Sequence, residues 1–345
     1  MKTNFLSIWL LLCLCGSTIP VAEPPQAELS NGLIRTTIYL PDASRGYYQG
    51  TRFDWSGAFK SLNYKGHSFI DQWFEHYDAK LHDAISGPVE EFTPLGYDDA
   101  KSGETFVKVG VGTLRKPDEK AYAFAKYYDV VNPGRWTVKS RKDGRSEDPV
   151  RRGPAFRSDT PADAVDFTHE LTDPTGYGYV YRKTVKLTKG KPELVLEHRL
   201  KNTGKLPIET SVYDHNFFII DKQLSGPTVN VQFPFAVTGE GKGFGNTIQT
   251  QENRLVYSRE LEKGEQVYST GLQGFGPAAT DYDIRIENRK TGAGVRITSD
   301  HPLEKLVYWA CSTTSCPEPY IHLTAAPGQE ISWRITYEFY EKNTK

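Results

Sequence analysis

The feature that most constrains the fold of this chain is an alternation of apolar and polar side chains with a period of two residues. The C-terminal segment "EISWRITYEFY" places every second residue on one apolar face: Ile331, Trp333, Ile335, Tyr337 and Phe339. Successive side chains of a strand point to opposite faces of a sheet, so this period predicts a strand with one buried face. Long stretches of helical periodicity are hard to find, and the chain is therefore predicted to be mainly β.

Turn-forming residues separate further segments of the same kind. One hairpin is predicted from Tyr282 to Ile297, with a glycine-containing turn at residues 290–294, and at least three strands are predicted between Tyr179 and Phe218. Repeated strands joined by Gly and Pro turns are typical of a large antiparallel sandwich. The aromatic content of 12% provides bulky side chains for its interior. We find no internal repeat or low-complexity linker, which favours a single domain.

Charge and composition indicate a globular protein without a nucleic-acid partner. Hydrophobic residues make up 38% of the chain, charged residues make up 25%, and the formal net charge is -1. These are ordinary values for a chain that buries a core. Lysine and arginine are dispersed except in a short run from Arg141 to Arg152, which also contains acidic residues and is therefore predicted to be a solvated loop.

The N-terminus has the pattern of a secretory signal peptide. One basic residue, Lys2, precedes an apolar run from Phe5 to Cys15, and small or turn-forming residues follow as far as Ala22. This run is too short for a comfortable membrane span and matches a leader that is cleaved. We therefore predict a signal peptide at residues 1–22, a single mature domain at residues 23–345, a periplasmic or secreted location, and no membrane association after removal of the leader.

Removal of this leader would leave two cysteines, Cys311 and Cys316. In an oxidising compartment, two cysteines five positions apart are candidates for a disulfide, which would brace the nearby Glu318. A zinc site is not predicted, because two sulfurs supply only half of a tetrahedral ligand set and His322 is the one histidine close by.

Glu318 lies between two prolines in "CPEPY", which is unusual in a β-rich chain. Proline fixes φ and lacks a backbone donor, so this unit fits poorly into the middle of a sheet and well at its rim. We expect the Glu318 carboxylate to be held rigidly near a strand end. The alternative is a surface carboxylate on a proline-rich loop.

Four segments in order resemble the galactose mutarotase-like superfamily, which includes aldose 1-epimerases and hexose-6-phosphate epimerases. They are "GYYQGTRFDWSGAFKSLNYKGHSF", "LEHRLKNTGKLPIETSVYDHNFF", "YDIRIENRKTGAGVRITSDHPLEKLVYWA" and "CPEPYIHLTAAPGQEISWRITYEF", and together they reach from Gly46 to Phe339. The resemblance implies an all-β fold, a large antiparallel β-supersandwich with a broad face for a carbohydrate. It implies neither a metal nor an organic cofactor, because the chemistry needs only proton transfers.

The resemblance also implies two catalytic residues. Changing the anomer of an aldose requires removal of the C1 hydroxyl proton and protonation of the ring oxygen, so a base and an acid are needed. The family uses a glutamate as base and a histidine as acid, and by position these roles are expected to fall to Glu318 and to His215 in "VYDHNFF". His215 alternates with Ser211 and Tyr213, which suits a sugar-binding strand with Tyr213 in contact with the substrate. The alternative is a half-buried histidine bonded across strands.

Three more residues are expected to bind the sugar. Arg52 in "GTRFDW" matches the N-terminal arginine of the family, which contacts sugar hydroxyls through its fork of donors. The alternative for Arg52 is a surface ion pair with Asp54. Trp55 is expected to form an aromatic platform for the pyranose. His82 in "KLHDAISGPVEEF" matches a second family histidine loosely, since Asp83 stands where glycine is expected.

Other residues and functions give alternatives to this interpretation. His198 alternates with leucines and is predicted to lie in the core. Arg45, Arg52 and Lys60 are too dispersed to predict a phosphate site, so a neutral free or oligomeric sugar is favoured. The same fold also occurs in polysaccharide lyases and other polysaccharide-acting enzymes, and a lyase would use a tyrosine or histidine in place of Glu318. A carbohydrate-binding protein without catalysis is the third function considered.

Overall fold

The computed structural model describes residues 23–146 and 161–343. The predicted signal peptide, residues 1–22, and part of the predicted basic loop lie outside the described residues. The described chain contains two short 3-10 helices, Ile220–Lys222 and Ala279–Asp281, and none of its helices is long and apolar enough to cross a membrane. Its strands are β1 (Gln26–Ser30), β2 (Ile34–Tyr39), β3 (Phe59–Tyr64), β4 (His67–Ile70), β5 (Val89–Phe92), β6 (Thr105–Lys108), β7 (Gly112–Arg115), β8 (Val130–Asn132), β9 (Arg135–Lys142), β10 (Arg145–Ser146), β11 (Ala164–Thr172), β12 (Gly178–Leu187), β13 (Glu193–Asn202), β14 (Ile208–His215), β15 (Val229–Gln232), β16 (Ile248–Gln251), β17 (Arg254–Tyr257), β18 (Gln266–Ser269), β19 (Asp283–Asn288), β20 (Ala293–Ser299), β21 (Lys305–Cys311), β22 (Ser315–Ala325) and β23 (Glu330–Glu341).

These strands form antiparallel sheets, as the sequence predicts. The largest has eleven strands in the order β10-β9-β11-β12-β13-β23-β20-β19-β15-β17-β16. A five-stranded sheet follows the order β18-β21-β22-β14-β5, and sheets of four (β1-β2-β3-β4) and three strands (β6-β7-β8) complete the described chain. The prediction of an all-β fold with large antiparallel sheets is confirmed.

The period-two segments form the predicted strands. In β23, Trp333, Ile335, Tyr337 and Phe339 are buried and the residues between them are exposed or half-buried, while Ile331 is half-buried at the start of the strand. The predicted hairpin is β19–β20, although its turn is shorter than expected because β20 already begins at Ala293. The segment from residue 179 to 218 contributes β12, β13 and β14, which are also three separate strands.

The five-stranded sheet separates the core from a polar surface. One face of β21 and β22 packs into the main core through residues such as Leu306, Tyr308, Ile321 and Leu323. Because side chains alternate along a strand, the residues between them project from the opposite face. That opposite face forms the floor of the cavity described next.

Candidate functional site

A cavity of about 530 Å³ lies over the outer face of the five-stranded sheet. Alternate residues of four strands form its floor: Glu91 of β5, Tyr213 and His215 of β14, Glu318 and Tyr320 of β22, and Lys305, Val307 and Trp309 of β21. Loop residues form its walls: Arg52, Trp73, His82, Asp83, Tyr122 and Phe124. The cavity therefore has the size and the mixed aromatic and polar lining of a small-molecule site.

Glu318 and His215 meet on this floor, although 103 positions separate them in the chain (318 minus 215). Their side chains lie on the neighbouring strands β22 and β14, and Glu318 Oε1 is 3.3 Å from His215 Nε2. Both residues are buried, with 4% and 3% of their surface exposed. The sequence expectation that a carboxylate and an imidazole converge on one face of the sheet agrees with this arrangement.

The prolines beside Glu318 occupy a different position from the one expected. β22 pairs with β21 along the whole Pro-Glu-Pro unit, so Glu318 lies inside a central strand and not at its end. Pairing of β22 with β14, by contrast, stops at Tyr320. Beyond that point the Asn216 side chain donates a hydrogen bond to the carbonyl of Pro317. The absence of backbone N–H groups at Pro317 and Pro319 is tolerated because the ladder of hydrogen bonds with β14 has already ended.

Burial sets the protonation of the Glu318–His215 pair. It raises the pKa of Glu318 to about 8, an effect that the positive charges of Arg52 and Lys305 reduce and the negative charge of Glu91 reinforces. Burial, with Arg52 nearby, also lowers the pKa of His215 well below its ordinary value. At neutral pH the one exchangeable proton of the pair therefore rests on Glu318, His215 is neutral, and the pair carries no net charge.

The imidazole of His215 is held mainly by aromatic rings. It stacks on Phe217 with 3.8 Å between ring centroids and meets the edge of Trp309 at 5.6 Å. Its Nδ1 atom is buried without a hydrogen-bond partner among the described residues. Nε2 is thus the ring nitrogen that faces the carboxylate and the cavity.

Arg52 is buried at one end of the cavity. Its Nε donates to Glu91 at 2.7 Å, and its Nη2 donates to the Tyr213 hydroxyl at 2.9 Å. The guanidinium lies between the rings of Phe53 and Phe124, at 4.5 and 4.3 Å from their centroids. These contacts use two of its five N–H donors and leave the others for a ligand.

The alternative of a surface ion pair between Arg52 and Asp54 is wrong. The Asp54 carboxylate faces the interior, where it accepts hydrogen bonds from Ser56 and from the Tyr181 hydroxyl. Residues 51–57 form bends and a turn and not a strand, so these two side chains, two positions apart, do not share a face. Arg52 therefore finds its counter-charge in Glu91.

Sequence reasoning missed Glu91, which organises this end of the site. Its carboxylate accepts hydrogen bonds from Arg52, from the Tyr213 hydroxyl at 2.6 Å and from Lys108 Nζ at 3.1 Å. Burial raises the pKa of Glu91, but the two adjacent cations outweigh it and lower the pKa overall. Lys108 also donates to the hydroxyl of Tyr122. The available signal was "VEEF", since two consecutive acids in a short apolar strand place one acid on each face.

The other predicted binding residues divide into two groups. His82 and Tyr213 line the cavity, and burial lowers the pKa of His82. Trp55 does not line it, so the prediction of a Trp55 platform is wrong. The Trp55 indole is buried in the hydrophobic cluster that also contains Phe53 and Phe217, and it donates its N–H to the carbonyl of Gly50 at 2.8 Å. Trp73 and Trp309 are the tryptophans at the cavity.

His198 lies in the core, as predicted. Its ring stacks on Trp333 at 4.6 Å, and its Nε2 lies 2.7 Å from Glu90. Glu90 also forms an ion pair with Lys183, and both side chains are fully buried. The histidine thus belongs to a buried charged cluster beneath the sheet, which its leucine neighbours gave no reason to expect.

The predicted disulfide is absent, because Cys311 and Cys316 are both free. Cys316 directly opposes Trp309 in the β21–β22 ladder, which leaves Cys311 as its diagonal neighbour. Diagonal neighbours lie about 7–8 Å apart. A disulfide needs Cα atoms within roughly 4.4–6.8 Å of each other. The cysteine thiols instead contact the hydroxyls of Thr313 and Thr314.

Of the three cations considered for a phosphate site, Arg52 alone lines the cavity. Arg45 contacts Asp42 and Lys60 contacts Gln26, and neither residue lines the cavity. The loop between β7 and β8 also contributes to the site, since Tyr122 and Phe124 form part of the wall.

Comparison with known proteins gives matches in structure and none in sequence. No protein-family model and no curated protein sequence matches the chain. A crystal structure of a Synechocystis protein superposes with a TM-score of 0.54 at 13% identity, covering 93% of this chain and 97% of the other. The GalM/aldose epimerase homologue of C. elegans gives 0.53 at 11% identity, with 92% and 99% covered. A galactose mutarotase-like protein of Lactobacillus casei gives 0.51 at 13% identity, with 91% and 100% covered. At such identities the likeness concerns the fold.

Proposed function

We propose that this chain, which has the fold of the galactose mutarotase-like superfamily, is an aldose 1-epimerase-type isomerase that interconverts the anomers of a sugar. The observation that carries the proposal is the contact of Glu318 with His215 on the floor of a cavity large enough for a sugar. The leader-like sequence of residues 1–22 supports a periplasmic or secreted place of action.

The proposed chemistry requires one proton to enter the sugar as another leaves. The shared proton first moves from Glu318 to His215 Nε2 across their 3.3 Å contact. The Glu318 carboxylate then takes the proton of the C1 hydroxyl, and His215 gives its Nε2 proton to the ring oxygen as the bond between C1 and that oxygen breaks. Rotation about the C1–C2 bond exposes the other face of the aldehyde, and the reverse transfers close the ring. The two groups exchange roles between opening and closure, so a pair that holds one proton is the form required.

The surrounding side chains fit the binding of a pyranose. The free donors of Arg52 and the hydroxyl of Tyr213 can bind sugar hydroxyls, and His82 lies on the same wall. Trp73 and Trp309 offer aromatic surface to the C–H faces of the ring. A neutral sugar fits this lining, because Arg52 already has a carboxylate partner in Glu91.

The lyase alternative would need a tyrosine or histidine as the base that removes a carbon-bound proton. Tyr122, Tyr213 and Tyr320 line the cavity. Burial raises the pKa of each of these hydroxyls, so they stay protonated near neutral pH and serve poorly as bases. This observation disfavours a tyrosine base, and the absorbance assay described next tests for a lyase that would use a histidine.

Polarimetry tests the proposal directly. Freshly dissolved α-glucose and α-galactose should lose their initial optical rotation faster with the protein than without it. A lyase would instead produce ultraviolet absorbance from an unsaturated product when polysaccharides are supplied. Sugar binding without either signal would support the binding-protein alternative and would exclude the epimerase for the sugars used.

Activity should depend on pH through the proton shared by Glu318 and His215. We expect kcat/KM for mutarotation to be flat around neutrality and to fall above about pH 8, because the pair loses its only proton as the pH rises through the pKa of Glu318. Initial rates between about pH 6 and 9.5, corrected for buffer catalysis, give the profile. A rise in activity through pH 8 would contradict the shared-proton mechanism.

A further inference from the structure

We infer that the cavity holds a second sugar ring beside the one on the catalytic pair, so that the preferred substrate is a reducing disaccharide or a longer oligosaccharide. The second subsite lies at the β18 edge of the five-stranded sheet, with Tyr268 as its aromatic platform. This inference rests on the proposed function and specifies its substrate class.

The first observation is the size of the cavity. A hexose has the volume of about six water molecules, or roughly 180 Å³ at about 30 Å³ for each water. The cavity measures about 530 Å³, so one pyranose on Glu318 and His215 leaves well over half of it unfilled by sugar. The remaining volume is large enough for another ring.

The charged end of the site is the less suitable place for a second ring. On the β5 side, the rings of Phe53 and Phe124 enclose the Arg52 guanidinium, and Glu91 and Lys108 fill the space beneath it. The cavity also reaches Thr93 and Pro94 beyond β5, but the second ring is assigned to the opposite end because that end offers an exposed aromatic side chain. The floor continues in the opposite direction, across β21 to β18.

Tyr268 is placed to receive a ring at that opposite end. It belongs to β18 and directly opposes Trp309 of β21, which in turn opposes Cys316 of β22. Neighbouring strands lie about 4.8 Å apart, so Tyr268 lies about 10 Å across the floor from the strand that carries Glu318. The two side chains are thus separated by one intervening strand and face the same cavity.

The exposure of Tyr268 points to a ligand. This residue lines the cavity, yet 42% of its surface is exposed, whereas Tyr213 and His215 on the same floor are buried. Among the described residues, no other aromatic ring stacks on it. Gln266 and Thr270 flank it at the cavity and can hydrogen-bond sugar hydroxyls. An exposed ring between polar side chains is suited to stack on the C–H face of a pyranose.

The experiment compares disaccharides with their reducing-end sugar. Maltose, cellobiose and lactose are compared with glucose, and β-1,4-galactobiose with galactose, in calorimetric binding and in polarimetry. For the wild-type protein we expect at least one disaccharide to bind about tenfold tighter than its monosaccharide and to show a higher kcat/KM. Tyr268→Ala should remove most of that preference.

Tyr77→Ala is the matched control, because Tyr77 is a tyrosine of similar exposure, 47%, that does not line the cavity. It should keep the wild-type ratio of disaccharide to monosaccharide affinity. The inference is wrong if no disaccharide binds better than its monosaccharide, or if the two variants change the ratio equally. The proposed function is wrong if sugars bind but none mutarotates faster with the protein. The two failures can be told apart because calorimetry measures binding and polarimetry measures mutarotation.

Discussion

Replacing Glu318 by glutamine is expected to lower kcat for mutarotation by about 10²- to 10⁴-fold, the usual contribution of a positioned acid or base. Glutamine keeps the shape of the side chain and cannot accept the C1 hydroxyl proton. The affinity for the sugar should change little. Tryptophan fluorescence can measure this affinity, because Trp73 and Trp309 line the cavity. The rate is measured by polarimetry on a freshly dissolved α-aldose.

Glu209→Gln provides the control for this variant. Glu209 lies on β14, the strand that carries His215, but 74% of its side chain is exposed. It should mutarotate sugars at the wild-type rate. The double variant Glu318→Gln with His215→Asn should be no slower than Glu318→Gln alone, because residues that act as one unit do not contribute additively. A Glu318→Gln protein that folds and works within a few-fold of wild type would remove the basis of the proposed mechanism.

Replacing Glu91 by glutamine is expected to destabilise the fold by about 3 kcal/mol, because it leaves two buried cations without their counter-charge. Arg52 and Lys108 both contact this carboxylate, and the Lys108 side chain is completely buried. Burial lowers the pKa of Lys108 to about 8 even with Glu91 present. Without Glu91, Lys108 should lose its proton at neutral pH. The loss of stability should therefore stay near the lower end of the range for buried ion pairs that lose one partner.

Urea unfolding followed by tryptophan fluorescence measures this effect as a lower midpoint with an unchanged slope. Glu209→Gln again serves as the control and should unfold at the wild-type urea concentration, because an exposed charge contributes little. Sugar binding by Glu91→Gln should weaken as well, since Glu91 orients Arg52. A wild-type midpoint for this variant would show that Glu91 is not the counter-charge that holds this end of the site.

Much of the strand structure could be predicted from the sequence because its signal is local. Side chains alternate with a period of two in any half-buried strand, so Trp333 and Tyr337 could be assigned to one face without knowing what packs against it. The resemblance of the chain to a known superfamily then predicted that Glu318 and His215 act together. These two residues are in contact in the cavity.

The rest of the site depended on contacts between distant parts of the chain. Trp55 and Trp73 look equally suitable as platforms in the sequence, and only the packing shows that Trp55 is buried against Gly50 while Trp73 reaches the cavity. The spacing of Cys311 and Cys316 was similarly ambiguous until the register of β21 and β22 made them diagonal neighbours.

The sequence by itself determined the class of fold and the strands, because period-two burial is a property of short segments. The tertiary structure alone decided which charges pair, as in the placement of Glu91 between Arg52 and Lys108, and how far the cavity extends toward Tyr268. The physical reason is that a carboxylate acquires a partner, a shifted pKa and a role only from the groups that folding brings around it, and most of those groups lie far away in the chain.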